Sequence, residues 1–218
     1  EIEPGGSGTL SFTFNTLRGA AGPRSPSMSI QVAVIGSRIT SDATTEQVKI
    51  TSSKTVKISS ELSLSSKILY STGPFINSGP VPPKVESETT YTVVLSLANS
   101  SSDLSNVEVE TSIPIYVNWL GKISPASENI KYNPVGGKIT WDVGDLKAGG
   151  VAREAAFQIS FLPSLSQLDQ FPIILNKVSA AGYDSFSGVT LNASDSGNLD
   201  IGLRSDPAYA GRGGPVTK

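Results

Sequence analysis

Apolar and polar residues alternate with a period of two along most of this chain, and almost no stretch carries the three- and four-residue spacing of an amphipathic helix. That pattern makes strands with one buried and one wetted face, so the fold must bring sheets together over a shared core. GTLSFTFN (8–15) sets Leu10, Phe12 and Phe14 on one face. SIQVAVIG (29–36), TTEQVKI (44–50) and TVKISSELSLSSKILY (55–70) continue the alternation, which gives about four strands before residue 70. GPFINSGPVPPKV (73–85) then carries four prolines, which cannot donate to a ladder, and is read as a linker. Beyond it strands resume at TTYTVVLSLAN (89–99), LSNVEVETSI (104–113), YVNWLGKI (116–123), NIKYN (129–133), GKITWDV (137–143), AREAAFQISFLP (152–163), IILNKVSAAGYD (173–184) and VTLNAS (189–194).

Short strands with a turn signal every 8–12 residues or so describe a β-sandwich. The expected fold is therefore all-β, with two β-sandwich domains in tandem. The first, residues 1–69, is short of strands; the second spans residues 70–202, and residues 203–218 form a flexible tail. NPVGGK (133–138) reads as a hairpin turn in which Gly136 and Gly137 take positive φ, and SLSQLDQ (164–170) as a single helical turn. Tyr91, Val93, Leu95, Val107, Val109, Trp141, Val143, Phe157, Ile159 and Phe161 are the expected core.

Composition removes whole classes of chemistry. The 218 residues contain no Cys and no His, so disulfides and zinc sites built on those ligands are absent. Lys+Arg of 17 against Asp+Glu of 19 supplies no overall basic field for nucleic acid or anionic lipid. No run of 18 apolar residues exists, so any membrane anchor is expected in sequence outside these residues. Charged residues are only 17% of the chain, with Ser and Thr in their place, as in many secreted β proteins.

Candidate functional residues are few. Trp119 and Trp141 are either sugar-stacking platforms or core anchors, and their place within alternating strands favours the core. Asp103, Asp142, Asp145, Asp184, Asp195 and Asp200 form acidic clusters, the densest in oxygen being Asn192, Asp195, Asn198 and Asp200. Calcium needs six to eight converging oxygens, and solvated turn carboxylates are the preferred reading. Sequons stand at Asn99 and Asn192. Paired carboxylates for glycoside hydrolysis would need an apolar cleft to raise one pKa, and no segment offers one. No catalytic, cofactor-binding or metal-binding residue is assigned.

Two segments carry a family resemblance. From Tyr91 to Pro114 the order is YT, apolar pairs, Asn99, a polar turn, then Asp103-Leu-x-Asn106-Val-x-Val before Ile-Pro114; ITWDVGDLKAG (139–149) adds Trp141, Gly144 and Leu146. Together they resemble the conserved repeat domain of bacterial and archaeal surface proteins known as domain of unknown function eleven, and PGGSGTLSFTF (4–14) looks like a strand of the same kind of repeat. The resemblance implies an immunoglobulin-like sandwich strung along an exported protein. SLANSSSDLSNVEVETSIP (96–114) would be a scaffold hairpin, with Val107, Val109 and Thr111 inward, Glu108 and Glu110 outward, and Asp103 and Asn106 bonded to the turn backbone.

The function expected on this reading is a non-catalytic structural module of an extracellular, cell-surface protein, in a filament, pilus or surface array. Its partners would be other copies of itself or neighbouring surface domains, with no cofactor, nucleic acid or small-molecule substrate. The alternative is an adhesin-type module contacting glycan or protein through its loops.

Overall fold

The computed structural model describes residues 6–11, 13, 24–39 and 44–218. Its strands in chain order are β1 Ser27–Ile39, β2 Thr45–Lys57, β3 Leu62–Leu69, β4 Thr89–Asn99, β5 Leu104–Ser112, β6 Val117–Ser124 and β7 Asn129–Asn133. β8 Lys138–Leu146, β9 Arg153–Phe161, β10 Ile173–Leu175, β11 Ser179–Asp184, β12 Val189–Ser194 and β13 Leu199–Asp200 follow. A single 3-10 turn, Leu165–Gln167, lies where SLSQLDQ announces one.

Two antiparallel sheets make the sandwich, in the orders β3-β4-β9-β6 and β12-β11-β5-β8-β7. Their inner faces meet in one apolar core. Tyr91, Val93, Leu95, Leu97, Phe157, Ile159 and Phe161 come from one sheet, and Val107, Val109, Ile139, Trp141 and Val143 from the other. All ten residues expected in the core are buried. Gly136 and Gly137 take φ of 79° and 65° in the β7–β8 turn. A side chain at Gly137 would stand 2.3 Å from the Ile113 carbonyl oxygen, so the turn and the β5–β6 corner lock together there.

Four expectations are corrected. First, 96–114 is a corner between sheets and not a hairpin, because β4 pairs with β3 and β9 while β5 pairs with β8 and β11. Alternation fixes which face is buried but not which sheet a strand joins. Buried Asn99 holds the corner, its Nδ2 donating to the carbonyls of Ser102 (2.6 Å) and Leu146 (3.1 Å). Asp103 accepts instead from the Ala148 amide (2.9 Å) and Lys147 (2.8 Å), and Asn106 lies at φ 51° in the β5–β8 register shift.

Second, the division at residue 70 cuts through the sandwich. β3 pairs with β4 over its whole length, Leu62↔Asn99 to Leu69↔Thr92, and its Leu62 and Ile68 belong to the core. The proline-rich stretch is the connection between these neighbours. Asn77 ties it down through Nδ2 bonds to the Tyr70 carbonyl (3.1 Å) and Thr92 Oγ1 (3.0 Å).

Third, residues 203–218 are bound to the body. Leu203 and Val216 are buried, as is Ile201 just before them. Thr217 donates to the Pro83 carbonyl (2.8 Å) and accepts from the Val85 amide (2.9 Å), while Val216 exchanges two bonds with the Asp169–Gln170 backbone.

Fourth, the described residues before β3 make a two-stranded hairpin and not four strands of a sandwich. What reads as two segments, 44–50 and the start of 55–70, is the single strand β2. The pattern 8–15 lies partly outside the described residues; 6–11 and 13 have no regular structure.

Candidate functional site: a projecting arm and the two ends of the sandwich

β1 and β2 pair in unbroken register from Ser27↔Lys57 to Ile39↔Thr45, and no other described strand pairs with either. Thirteen residues at roughly 3.3 Å each make an arm about 43 Å long. Because residues two apart share a face, the register sorts the side chains. Met28, Ile30, Val32, Val34, Val48, Ile50 and Val56 share one face with Glu46, Ser52 and Lys54; Ser29, Gln31, Ala33, Ile35, Ser37, Gln47, Lys49, Thr51, Ser53, Thr55 and Lys57 stand on the other. In a covered hairpin the first face would be core. Here Val34 is 63% exposed and its cross-strand partner Ile50 67%.

The arm is fastened at one end of the sandwich. Ser25 N–H donates to the Ser101 carbonyl (2.7 Å) and Arg24 Nη2 to the Ala148 carbonyl (3.3 Å), the arm's own base being closed by Ile58 N–H on the Pro26 carbonyl (2.9 Å). Lys57 Nζ donates to the Phe186 carbonyl (2.8 Å) and sits 4.9 Å from the centre of that ring. These anchors lie in the β4–β5, β8–β9 and β11–β12 turns, so all of them belong to one end.

The opposite end is formed by the β5–β6 corner, the β7–β8 turn and the segment after β9. Ile115, Val135, Leu162, Leu165 and Phe171 are exposed there, Ile115 completely. A cleft of about 430 Å³ lies among Ile113, Pro114, Ile115, Val117, Tyr132 and Pro134.

Two of the aspartates singled out from sequence, Asp184 and Asp195, serve the β3 edge, while Asp142 accepts from Asn129 Nδ2 (3.0 Å). Asp184 accepts from the Ser60 amide (2.9 Å) as well as from Phe186 and Ser187 in its own turn. Asp195 accepts from the Ser66 amide (2.7 Å) and hydroxyl. Asp206, which sequence reading passed over, accepts from the amides of Tyr70 (2.6 Å), Ser71 (2.8 Å) and Ala208 (2.9 Å). An edge strand's spare N–H groups invite other chains to pair; Asp195 occupies the one at Ser66, and Asp184 and Asp206 hold the amides just before and just after β3. Burial pushes each carboxyl's pKa up, but the amide and hydroxyl donors outweigh it, and all three lie below the usual value.

The remaining oxygen ligands do not converge. Asp200 pairs with Arg204 (2.8 Å), and Asn198 Oδ1 accepts from the Lys177 amide (2.7 Å). Among the described residues no group of three or more carboxylates is placed to hold a metal ion. Trp141 is fully buried, its Nε1 donating to Glu128 (2.7 Å), which also binds Arg153. Trp119 stacks on Tyr132 with ring centres 5.6 Å apart and packs against Phe157. Neither indole is presented as an open platform. Of the sequons, Asn99 is buried and Asn192 exposed.

One carboxylate pair does line a groove, of about 320 Å³, beside Ala181 and Asn192. Burial and the neighbouring Glu110 raise Glu108, while the Lys138 ammonium lowers Glu110.

The sheet order and the corner crossing define an immunoglobulin-like, all-β sandwich, here extended by an N-terminal arm. No family profile matches the sequence, and no curated protein matches it. Solved structures similar to it include BcpA, the major pilin subunit of Bacillus cereus, at 14% identity over 77% of this chain and 47% of that one, TM-score 0.37. The full-length major pilin SpaD of Corynebacterium diphtheriae is similar at 8% identity over 62% of this chain and 34% of that one, TM-score 0.37. The GH20 exo-β-N-acetylglucosaminidase of Vibrio harveyi is similar at 10% identity over 61% of this chain, which spans only 18% of its length, TM-score 0.37.

Proposed function

We propose that this chain is a non-catalytic structural module of an exported, cell-surface protein, working in an array of like domains such as a filament or pilus. The observation that carries the reading is the arm: a hairpin with one apolar face exposed, attached to a sandwich whose own core is closed. Exposed apolar area of that extent on a soluble domain marks a surface meant to be covered by another molecule. The family resemblance at residues 91–114 and 139–149 fits the same role.

The adhesin alternative calls for aromatics gathered on an open loop cluster or concave face. Phe171 and Tyr183 are half exposed but lie at opposite ends of the sandwich, and both tryptophans are packed inward, which favours the structural reading. Light scattering after size exclusion, with electron microscopy of the same fractions, tests the proposal. Concentration-dependent oligomers or filaments are the expected result. A chain that stays monomeric at all concentrations while binding a glycan would reverse the order of the two readings.

A further inference from the structure

We propose that Asn192 is an N-glycosylation site, and that folded copies of the chain carry one asparagine-linked oligosaccharide there and none at Asn99. The inference rests on the reading of the chain as an exported module, and it names a covalent modification that export would add.

The chain holds two Asn-x-Ser sequons, Asn99-Ser-Ser and Asn192-Ala-Ser, and the fold separates them. A sugar joined to asparagine replaces one hydrogen of the side-chain amide, so a usable amide needs a hydrogen to spare and room beyond it. At Asn99 both hydrogens are committed, to the carbonyls of Ser102 and Leu146, and Oδ1 accepts from the Ser60 hydroxyl (2.5 Å). That side chain is buried, and a sugar on it would force open the β4–β5 corner. Asn192 is exposed, and its side chain makes no hydrogen bond to a described residue. The alternation of β12 turns Asn192 and the Ser194 hydroxyl out on the same face, while Ala193 packs against the core.

The surface beside Asn192 has room for a sugar. Register places Glu108, Ala181 and Asn192 in one row across β5, β11 and β12, and Glu110, Ser179 and Ser194 in the next. Two strand spacings of about 4.8 Å separate Asn192 from Glu108, with only the small Ala181 between them. This is the groove of about 320 Å³. Its carboxylates accept from the hydroxyl groups of a saccharide, and its serine hydroxyls both donate and accept. A glycan seated here keeps the outer face of the five-stranded sheet wetted.

The modification is a group transfer from a lipid-linked oligosaccharide phosphate, catalysed by an oligosaccharyltransferase on the export side. Asn192 Nδ2 attacks the anomeric carbon, and the new C–N bond forms as the carbon–oxygen bond to phosphate breaks. Nδ2 loses one proton to a base of the transferase, and the lipid phosphate leaves. Ser194 supplies the hydroxyl, two residues on, by which the acceptor is recognised.

The test takes the full chain from the surface of its own host. Trypsin releases residues 85–122, with Asn99, and residues 178–204, with Asn192. Mass spectrometry should find the second peptide heavier by one oligosaccharide in most copies and the first unmodified. An N-glycan amidase should release the sugar and leave an aspartate in place of the asparagine. Asn192→Gln and Ser194→Ala, made in the same host, should lose the sugar completely, and Ser194→Thr should keep it. Both positions are exposed, so the fold survives these changes. A surface chain whose residues 178–204 are unmodified, or carry sugar on serine hydroxyls alone, would overturn the inference and leave the proposed function standing. Sugar that survives Asn192→Gln, or sugar on Asn99 of the folded chain, would do the same. A chain that stays in the cytoplasm, and so never meets the transferase, would overturn both.

Discussion

The Asp206 carboxylate accepts the backbone hydrogen of Tyr70 at 2.6 Å, across 136 residues of sequence. With Ser71 bonded to the same carboxylate, this contact fixes the C-terminal segment to the end of β3, and Tyr209 then packs edge-on against Tyr70 at 5.7 Å. Asp206→Ala would leave these amide donors without their acceptor, at about 3 kcal/mol. The expected outcome is a lower melting temperature and faster proteolysis after Leu203. Equal stability and an equally resistant C-terminal segment would mean that Leu203, Val216 and the backbone bonds of Val216 and Thr217 hold the tail without Asp206.

Acid should act on the β3 edge before the core. Asp184, Asp195 and Asp206 all have folded pKa values below the usual 3.8. A depressed carboxyl contributes its stabilisation fully above the unfolded value and loses it as pH falls through the folded one. Stability should therefore be flat in these groups at neutral pH and fall only below about pH 4. Hydrogen exchange should report opening at Ser66 and Tyr70 first. A loss of protection centred near pH 6 would contradict the assignment.

Trp141 is the largest fully buried side chain, and Trp141→Ala should destabilise the sandwich by about 4 kcal/mol, measured by denaturant unfolding. Trp141→Phe keeps most of the packing and loses the Nε1 bond to Glu128, so its cost should be clearly smaller. Equal costs would put the whole effect on that polar bond.

The sequence carried the core because period-two alternation reports burial directly, and β4, β5, β8 and β9 stand where that pattern places them. It could not say that β4 and β5 lie in different sheets, since a four-residue polar turn joins strands of one sheet or of two. The docked tail was hidden for another reason. Its hold comes from one carboxylate, from backbone bonds at Val216 and Thr217 and from isolated apolar residues such as Leu203 and Val216, with no periodicity to betray them. The arm was half legible: its alternation was visible, but an apolar face reads the same whether its own chain covers it or a partner does.

Hydrogen exchange along β1 and β2, followed as concentration rises, tests the central claim most directly. If the arm is an assembly element, amides from Val32 to Ile35 and from Lys49 to Ser52 should exchange readily in the dilute monomer. They should slow at least about tenfold under conditions where light scattering reports association, while the amides of β4 and β9 stay protected throughout. Arm amides that exchange at one unchanging rate across an associating series would contradict the account.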